Sequence, residues 1–307
     1  MRTNVTFPSA GLKIAGHLYT PDTEAAGPRP AIVVSHPASG VKEQTAGLYA
    51  QRLADQGFIT LAFDAAHQGE SEGEPRGLED PAHRVEDIKA AVSHLTTRDE
   101  VDTDRIGALG VCASGGYVLT AAASDHRIKA IGTVSAVDIG RQFRCGADGT
   151  QDPAVIQGML DAAAAARTAE ARGEGVQVFP IFPDTPEQAR ALGGRHAVEG
   201  FEYYRTDRGR HPRSAQSFTW SSVDRLASFD AFRFVDLIAP RPLLLIVGRE
   251  AVTSWMSVEA FQNAHGPKEL HWIDGADHVG LYDKEQYVDP AVARLTDFFG
   301  AHLTETE

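Results

Sequence analysis

The chain has 307 residues, 42% of them hydrophobic, and 29 Lys and Arg against 42 Asp and Glu give a formal net charge of −13. A field of that sign repels nucleic acid and anionic membrane surfaces, and no basic patch with interleaved aromatics offsets it. The composition directs attention to small-molecule chemistry, and the length suits one α/β core carrying an insertion.

No run of 18 or more apolar residues occurs, so no transmembrane helix is expected. The opening segment "MRTNVTFPSAGLKIAG" carries one Arg but no apolar centre, so no signal peptide is expected. The two cysteines, Cys112 and Cys145, do not suggest a stapling disulfide, and a reducing cytoplasm is the expected compartment.

In chain order, "VTFPSAGLKIAGHLYTP" reads as two short strands around the "SAG" turn. "PAIVVSHP" is a β-branched apolar run, the mark of a strand buried on both faces. Residues 43–56 place Leu48, Leu53 and several alanines at helical spacing, with Gly57 closing the helix. "FITLAFDA" is the next buried strand and "AHQGESEGEPRG" a polar loop. A helix follows, with Asp80 as N-cap and Pro81 in its first position. "RIGALGV", "GGYVLTAAAS" and "IKAIGTVSAV" continue as strand, helix and strand. The alternation implies an α/β fold, a mostly parallel sheet doubly wound with helices.

The alternation then breaks. Residues 139–234 are polar and rich in Gly and Arg, with one Ala-rich helix near 154–172 and no buried-strand pattern. It resumes with the strand "RPLLLIVG", a helix over 257–264, the strand "KELHWID" and a helix near 288–303. The expected division is a core over 1–138 and 235–307 and a helical lid or cap over 139–234. An insertion at the carboxyl edge of such a sheet covers the place where ligands bind. Its "VFPIFPD" and "FEYYRTDRGRHPR" suggest a partly apolar, partly basic roof, compatible with an anionic substrate.

In "RIGALGVCASGGY" a strand must turn abruptly into a helix. At a nucleophile elbow the residues two before and two after the nucleophile must be small. Centred on Cys112 these are Gly110 and Ser114; centred on Ser114 they are Cys112 and Gly116. Cys112 is favoured because Gly110 matches the first Gly of G-x-S-x-G and the strand ends directly before it. A thiol at a helix N-terminus also has its pKa lowered towards thiolate. Ser114 remains the other frame.

A thiol nucleophile needs a base, and the base an orienting carboxylate. His278 lies in the loop after "HWID", whereas His271 lies within the strand. Glu250, in the loop after "PLLLIVG", is the preferred acid, with Asp138 competing from the end of the preceding strand. The expected oxyanion hole uses the N–H of Ala113 and, since Pro37 has none, that of Ala38. His67 is placed as a second residue facing the cleft or a solvated loop histidine. His265, His271 and His278 do not share one face, so no metal is expected. The glycines of "GALGVCASGG" do not fit G-x-G-x-x-G, so no nucleotide cofactor is expected.

Together, "SHPASG", "FDAAHQGES", "GVCASGG" and "GADH", in this order, resemble the α/β-hydrolase superfamily over residues 5–300 outside the insertion. More narrowly the chain is similar to the dienelactone-hydrolase-like branch with a cysteine nucleophile, and to polyketide transferases and thiohydrolases. The order nucleophile 112, acid 250, base 278 is the one that resemblance implies. It implies hydrolysis of a small-molecule ester, lactone or thioester through an acyl-Cys112 intermediate, or acyl transfer or cyclisation by the same residues. The departures are Cys112 for the usual serine and Ser114 for the usual second glycine. The expected partner is a small acyl substrate, with no nucleic acid and no membrane, and with a homodimer left open.

Overall fold

The computed structural model describes residues 1–23, 27–192 and 194–303. Residue 193 of the expected insertion and residues 304–307 of the expected core lie outside the described residues.

The chain opens with an antiparallel pair, β1 (Arg2–Ser9) and β2 (Leu12–Tyr19), joined through Ala10 and Gly11 at positive φ. Strand and helix then alternate as β3 (Arg29–Ser35), α1 (Thr45–Ala54), β4 (Ile59–Phe63), α2 (Pro81–Leu95), β5 (Val101–Val111), α3 (Ala113–Ser124) and β6 (Ile128–Val134). The insertion follows as α4 (Ile139–Cys145), α5 (Pro153–Ala171), β7 (Val178–Pro180), α6 (Pro186–Ala191), α7 (Arg195–Tyr204), β8 (Ser217–Thr219) and α8 (Val223–Ala227). The core closes with β9 (Leu243–Gly248), α9 (Ser254–Asn263), β10 (Lys268–Ile273) and α10 (Glu285–His302).

Eight strands form one sheet in the order β1-β2-β4-β3-β5-β6-β9-β10. All neighbours from β4 to β10 run parallel, and β2 joins β4 antiparallel. The apolar runs become strands buried on both faces: every residue of β4 and of β9 is buried. Helices cover the sheet in two layers, α1 beside α10 and α2 beside α3. Asp80 caps α2 by accepting from the Ala82 N–H at 2.9 Å, with Pro81 filling the first turn where an N–H has no partner. No helix among the described residues is long and apolar enough to cross a membrane.

Within 139–234, where no buried-strand pattern was expected, β7 and β8 pair antiparallel over three residues each, and no residue of β7 is buried. Strands this short leave no alternation to read. The insertion is tied to the core by specific bonds. The Arg208 guanidinium donates to the Asp283 carboxylate at 2.6 and 2.8 Å. The Tyr203 hydroxyl accepts from the Thr45 N–H at 3.1 Å, and Ala215 N–H donates to the Ser39 carbonyl at 3.1 Å. Arg213 pairs with Glu43 and, at 3.2 Å, with Glu70. Those two carboxylates and Asp64 surround the buried Lys42 ammonium at 2.6–2.9 Å. Asp64, from the "FDAAHQGES" motif, also accepts from the Lys42 and Glu70 N–H groups at 2.8 Å each, fastening two loops of the core.

Candidate active site

The strand β5 ends at Val111, and Cys112 takes φ 58° and ψ −123° before α3 begins at Ala113. A side-chain-bearing residue in that region costs about 1–3 kcal/mol and persists only where its surroundings enforce it. Here the enforcement is close packing. A Cβ on Gly110 would lie 2.0 Å from the Ser114 carbonyl oxygen, and one on Gly115 would lie 2.6 Å from Ala136. The contact between Gly110 and Ser114 is the one an elbow centred on residue 112 requires. Ser114 is committed elsewhere. Its buried hydroxyl lies 2.5 Å from the His36 carbonyl, 2.8 Å from Ser35 Oγ and 2.7 Å from an Arg84 Nη2 donor.

Cys112 forms part of the wall of a cavity of about 300 Å³. Ala38 from the core and Phe143, Met159, Phe179 and Phe182 from the insertion share that wall. Among the described residues, none of its lining is Asp, Glu, Lys or Arg. The basic run of the insertion does not reach it. Arg205 pairs with Asp184 at 3.0 Å and Arg210 with Asp207 at 2.7 Å, while Arg208 and Arg213 hold the core as described. The expectation of a partly basic roof is corrected accordingly: no Lys or Arg lines it, and its largely apolar side chains are joined by Gln142, Gln151 and His196.

His278 is fully buried in the turn after β10. Its carbonyl accepts from Ser135 Oγ at 3.2 Å, its Nδ1 lies 2.6 Å from Thr253 Oγ1, and its Nε2 lies 3.0 Å from the Tyr282 hydroxyl. Tyr282 ends the 3-10 turn Gly280–Tyr282 and lines the same cavity as Cys112. The ring of His196, carried by α7, meets the His278 ring edge to face with centroids 4.7 Å apart.

Neither expected acid reaches His278. The Glu250 side chain is 54% exposed and pairs with Arg195 at 3.7 Å. Asp138 is buried, but its two oxygens accept from the Arg141 and Ala231 N–H groups at 3.1 Å each, as the N-cap of α4. Thr253, three residues beyond Glu250 in the same loop, stands where a carboxylate was expected. A hydroxyl orients the imidazole but supplies no negative charge. His67 closes its own loop, with Nδ1 3.2 Å from the Pro75 carbonyl and its ring against His83.

Burial sets the protonation. It pushes the Cys112 thiol up to about 11, against the opposing pull of the Tyr282 hydroxyl and the Ala113 N–H. It holds His278 well below the usual imidazole value, with the neighbouring His196 acting the same way. The resting pair is therefore neutral thiol and neutral imidazole. The expectation of a helix-stabilised thiolate is corrected: desolvation outweighs the helix terminus. Alkylation of Cys112 by iodoacetamide should accordingly be slow at pH 8, where about one thiol in a thousand is ionised, and should rise with pH towards 11. Peptide mapping separates it from Cys145; a half-maximal rate below pH 8 would contradict this account.

Residues 14–136 match the dienelactone hydrolase family. The YcjY protein of Escherichia coli (strain K12) is 42% identical over 271 residues, 88% of this chain and 87% of its own length. The crystal structure of PA2218 from Pseudomonas aeruginosa superposes with a TM-score of 0.91 at 34% identity, covering 98% of this chain and 94% of that one. Residues 14–136 therefore belong to a dienelactone hydrolase family domain. The chain is an α/β-hydrolase enzyme of hydrolytic or acyl-transfer type. The thiohydrolase aneE of Aspergillus aculeatus is 29% identical over 279 residues, 88% of this chain and 84% of that protein.

The structure brings Cys112, Ala38 and Tyr282 to one cavity, with Ala113 next in the chain and His278 bonded to Tyr282. Sequence reasoning missed Thr253, Tyr282 and His196. Tyr282 carried a readable signal, since four residues past His278 in a tight turn places it beside the imidazole. His196 carried none, because nothing periodic in the insertion points it at the core.

Proposed function

We propose that this enzyme cleaves a thioester, ester or lactone of a small, largely apolar acid through an acyl-Cys112 intermediate. The observation that carries the reading is Cys112 at positive φ on an enforced elbow, in the wall of a cavity without charged lining. The uncharged apolar wall supports an aliphatic or aromatic acyl group over a carboxylated one, since an anion there would lose its hydration without a partner.

In this mechanism the Cys112 sulfur attacks the acyl carbon as its proton passes towards His278. Thr253 keeps the imidazole oriented. The Ala113 and Ala38 N–H groups donate to the developing oxyanion. Collapse expels the leaving thiol or alcohol, and water then attacks the thioester on Cys112 with His278 as base. Transfer to an alcohol, amine or carbon nucleophile uses the same intermediate, and the largely apolar cavity wall, which suits an organic acceptor, supports that second reading. A nucleophile competing with water distinguishes the two by product.

Intact-protein mass spectrometry after mixing with octanoyl, benzoyl and acetyl N-acetylcysteamine thioesters tests the reading. One acyl mass should appear, its peptide containing Cys112, and hydroxylamine should remove it. An adduct confined to any other residue, or none under rapid quench while substrate is consumed, overturns it.

A further inference from the structure

In a simple thiol–imidazole pair the base touches the sulfur directly. Here a third group meets the imidazole. The Tyr282 hydroxyl lies 3.0 Å from His278 Nε2, and Tyr282 shares the cavity wall with Cys112, whose thiol it draws towards ionisation. It is buried, forms part of the cavity wall with Cys112, and is fixed on its other faces by aromatic rings: Tyr203 at 5.2 Å and Tyr204 at 6.5 Å, both edge to face. Both rings come from α7 of the insertion. With Nδ1 of His278 held by Thr253 at 2.6 Å, Nε2 is the nitrogen left to exchange a proton, and the group it meets is the tyrosine.

We infer that Tyr282 is a catalytic residue, whose hydroxyl relays the proton between Cys112 Sγ and His278 Nε2. The inference rests on Cys112 being the nucleophile. In acylation, the sulfur forms a bond to the acyl carbon as its S–H bond breaks. That proton moves onto the Tyr282 oxygen while the proton already there passes to His278 Nε2, leaving tyrosine neutral and imidazole protonated. The carbonyl π pair moves to the oxyanion. On collapse that pair re-forms the carbonyl, the leaving thiolate or alkoxide departs with its bonding pair, and the proton returns to it from His278. In deacylation water attacks the thioester carbon and gives its proton to His278. The C–S bond breaks with its pair on sulfur, and the relay runs backwards to restore the thiol. No co-reactant other than water is needed. A phenol suits this position because it donates and accepts at one oxygen, so neither partner is forced to ionise before the acyl carbon arrives.

Single-turnover acylation by an acyl thioester, followed by rapid-quench mass spectrometry, reads the relay. Tyr282→Phe keeps the ring and removes the hydroxyl. It should slow acylation on the order of 10²- to 10⁴-fold, the usual contribution of a positioned proton-transfer group. KM should change little, since the apolar wall is intact. A packing role alone would not move the proton inventory. In mixtures of H₂O and D₂O the wild-type acylation rate should give a curved plot, two protons being in flight. The plot should be linear in Tyr282→Phe. A linear inventory in the wild-type protein, or a Tyr282→Phe acylation rate equal to wild type, overturns the relay. If Cys112→Ala still turns over, the nucleophile assignment itself has failed. If Cys112→Ala is dead while Tyr282→Phe is fully active, only the relay has.

Discussion

Cys112→Ala is expected to lose turnover of an acyl thioester by on the order of 10⁴-fold or more, because the acyl group has nowhere to reside. Alanine keeps the elbow's shape, so far-UV circular dichroism should match wild type. Ser114→Ala is the control. It removes the partner that Arg84 reaches at 2.7 Å, while the His36 carbonyl keeps its bond from Arg84, so the stability loss should be about 1 kcal/mol. The chemistry should persist in that variant at a temperature where it is folded. Retained turnover in Cys112→Ala would sink the proposal. Loss confined to Ser114→Ala would move the nucleophile two residues along the chain.

The second large effect concerns the charge beneath the elbow. Arg84 is 2% exposed; it reaches Ser114 Oγ, stands 3.6 Å from Glu79 and lies over the Tyr117 ring at 5.0 Å. Glu79 is itself fully buried and accepts from Tyr117 at 2.8 Å. Arg84→Ala leaves that carboxylate without its counter-charge, which typically costs about 3–5 kcal/mol. Thermal denaturation should show a fall of roughly 10 °C. Arg84→Met combined with Glu79→Gln should recover a large part of it, since no isolated charge then remains. The nearby cation also favours the ionised thiol, so its loss should slow alkylation of Cys112 further at any pH below the thiol's own midpoint. A melting temperature within about 2 °C of wild type in Arg84→Ala would show that the buried pair contributes little.

The fold was legible because it is written in local patterns. Buried parallel strands read as unbroken apolar runs, and caps such as Asp80–Pro81 mark helix starts in the residues themselves. The elbow was legible for the same reason, as a strand, a turn of small residues and a helix lie consecutively from 106 to 124. What failed depended on which residue of a loop turns inward. Chain order led to the loop after β9, but Arg249 and Glu250 face solvent and Thr253 comes round to the imidazole. The ionisation state failed because it depends on burial, and the roof of the cavity is supplied by residues 139–182 and 196–218, far away in sequence. The helix terminus was visible locally; the desolvation that overrides it was not.

That ionisation state has a consequence for the lifetime of the catalyst. Thiolates, not thiols, attack peroxides and disulfides, and the first rung of cysteine oxidation by peroxide is a sulfenic acid. Burial keeps the Cys112 thiol protonated at neutral pH, in a largely apolar cavity wall. In the proposed mechanism its sulfur becomes strongly nucleophilic only while an acyl carbon sits within bonding reach and the proton has somewhere to go. Between turnovers an oxidant meets the unreactive form, so the burial that makes ionisation costly also spares the residue from oxidative inactivation.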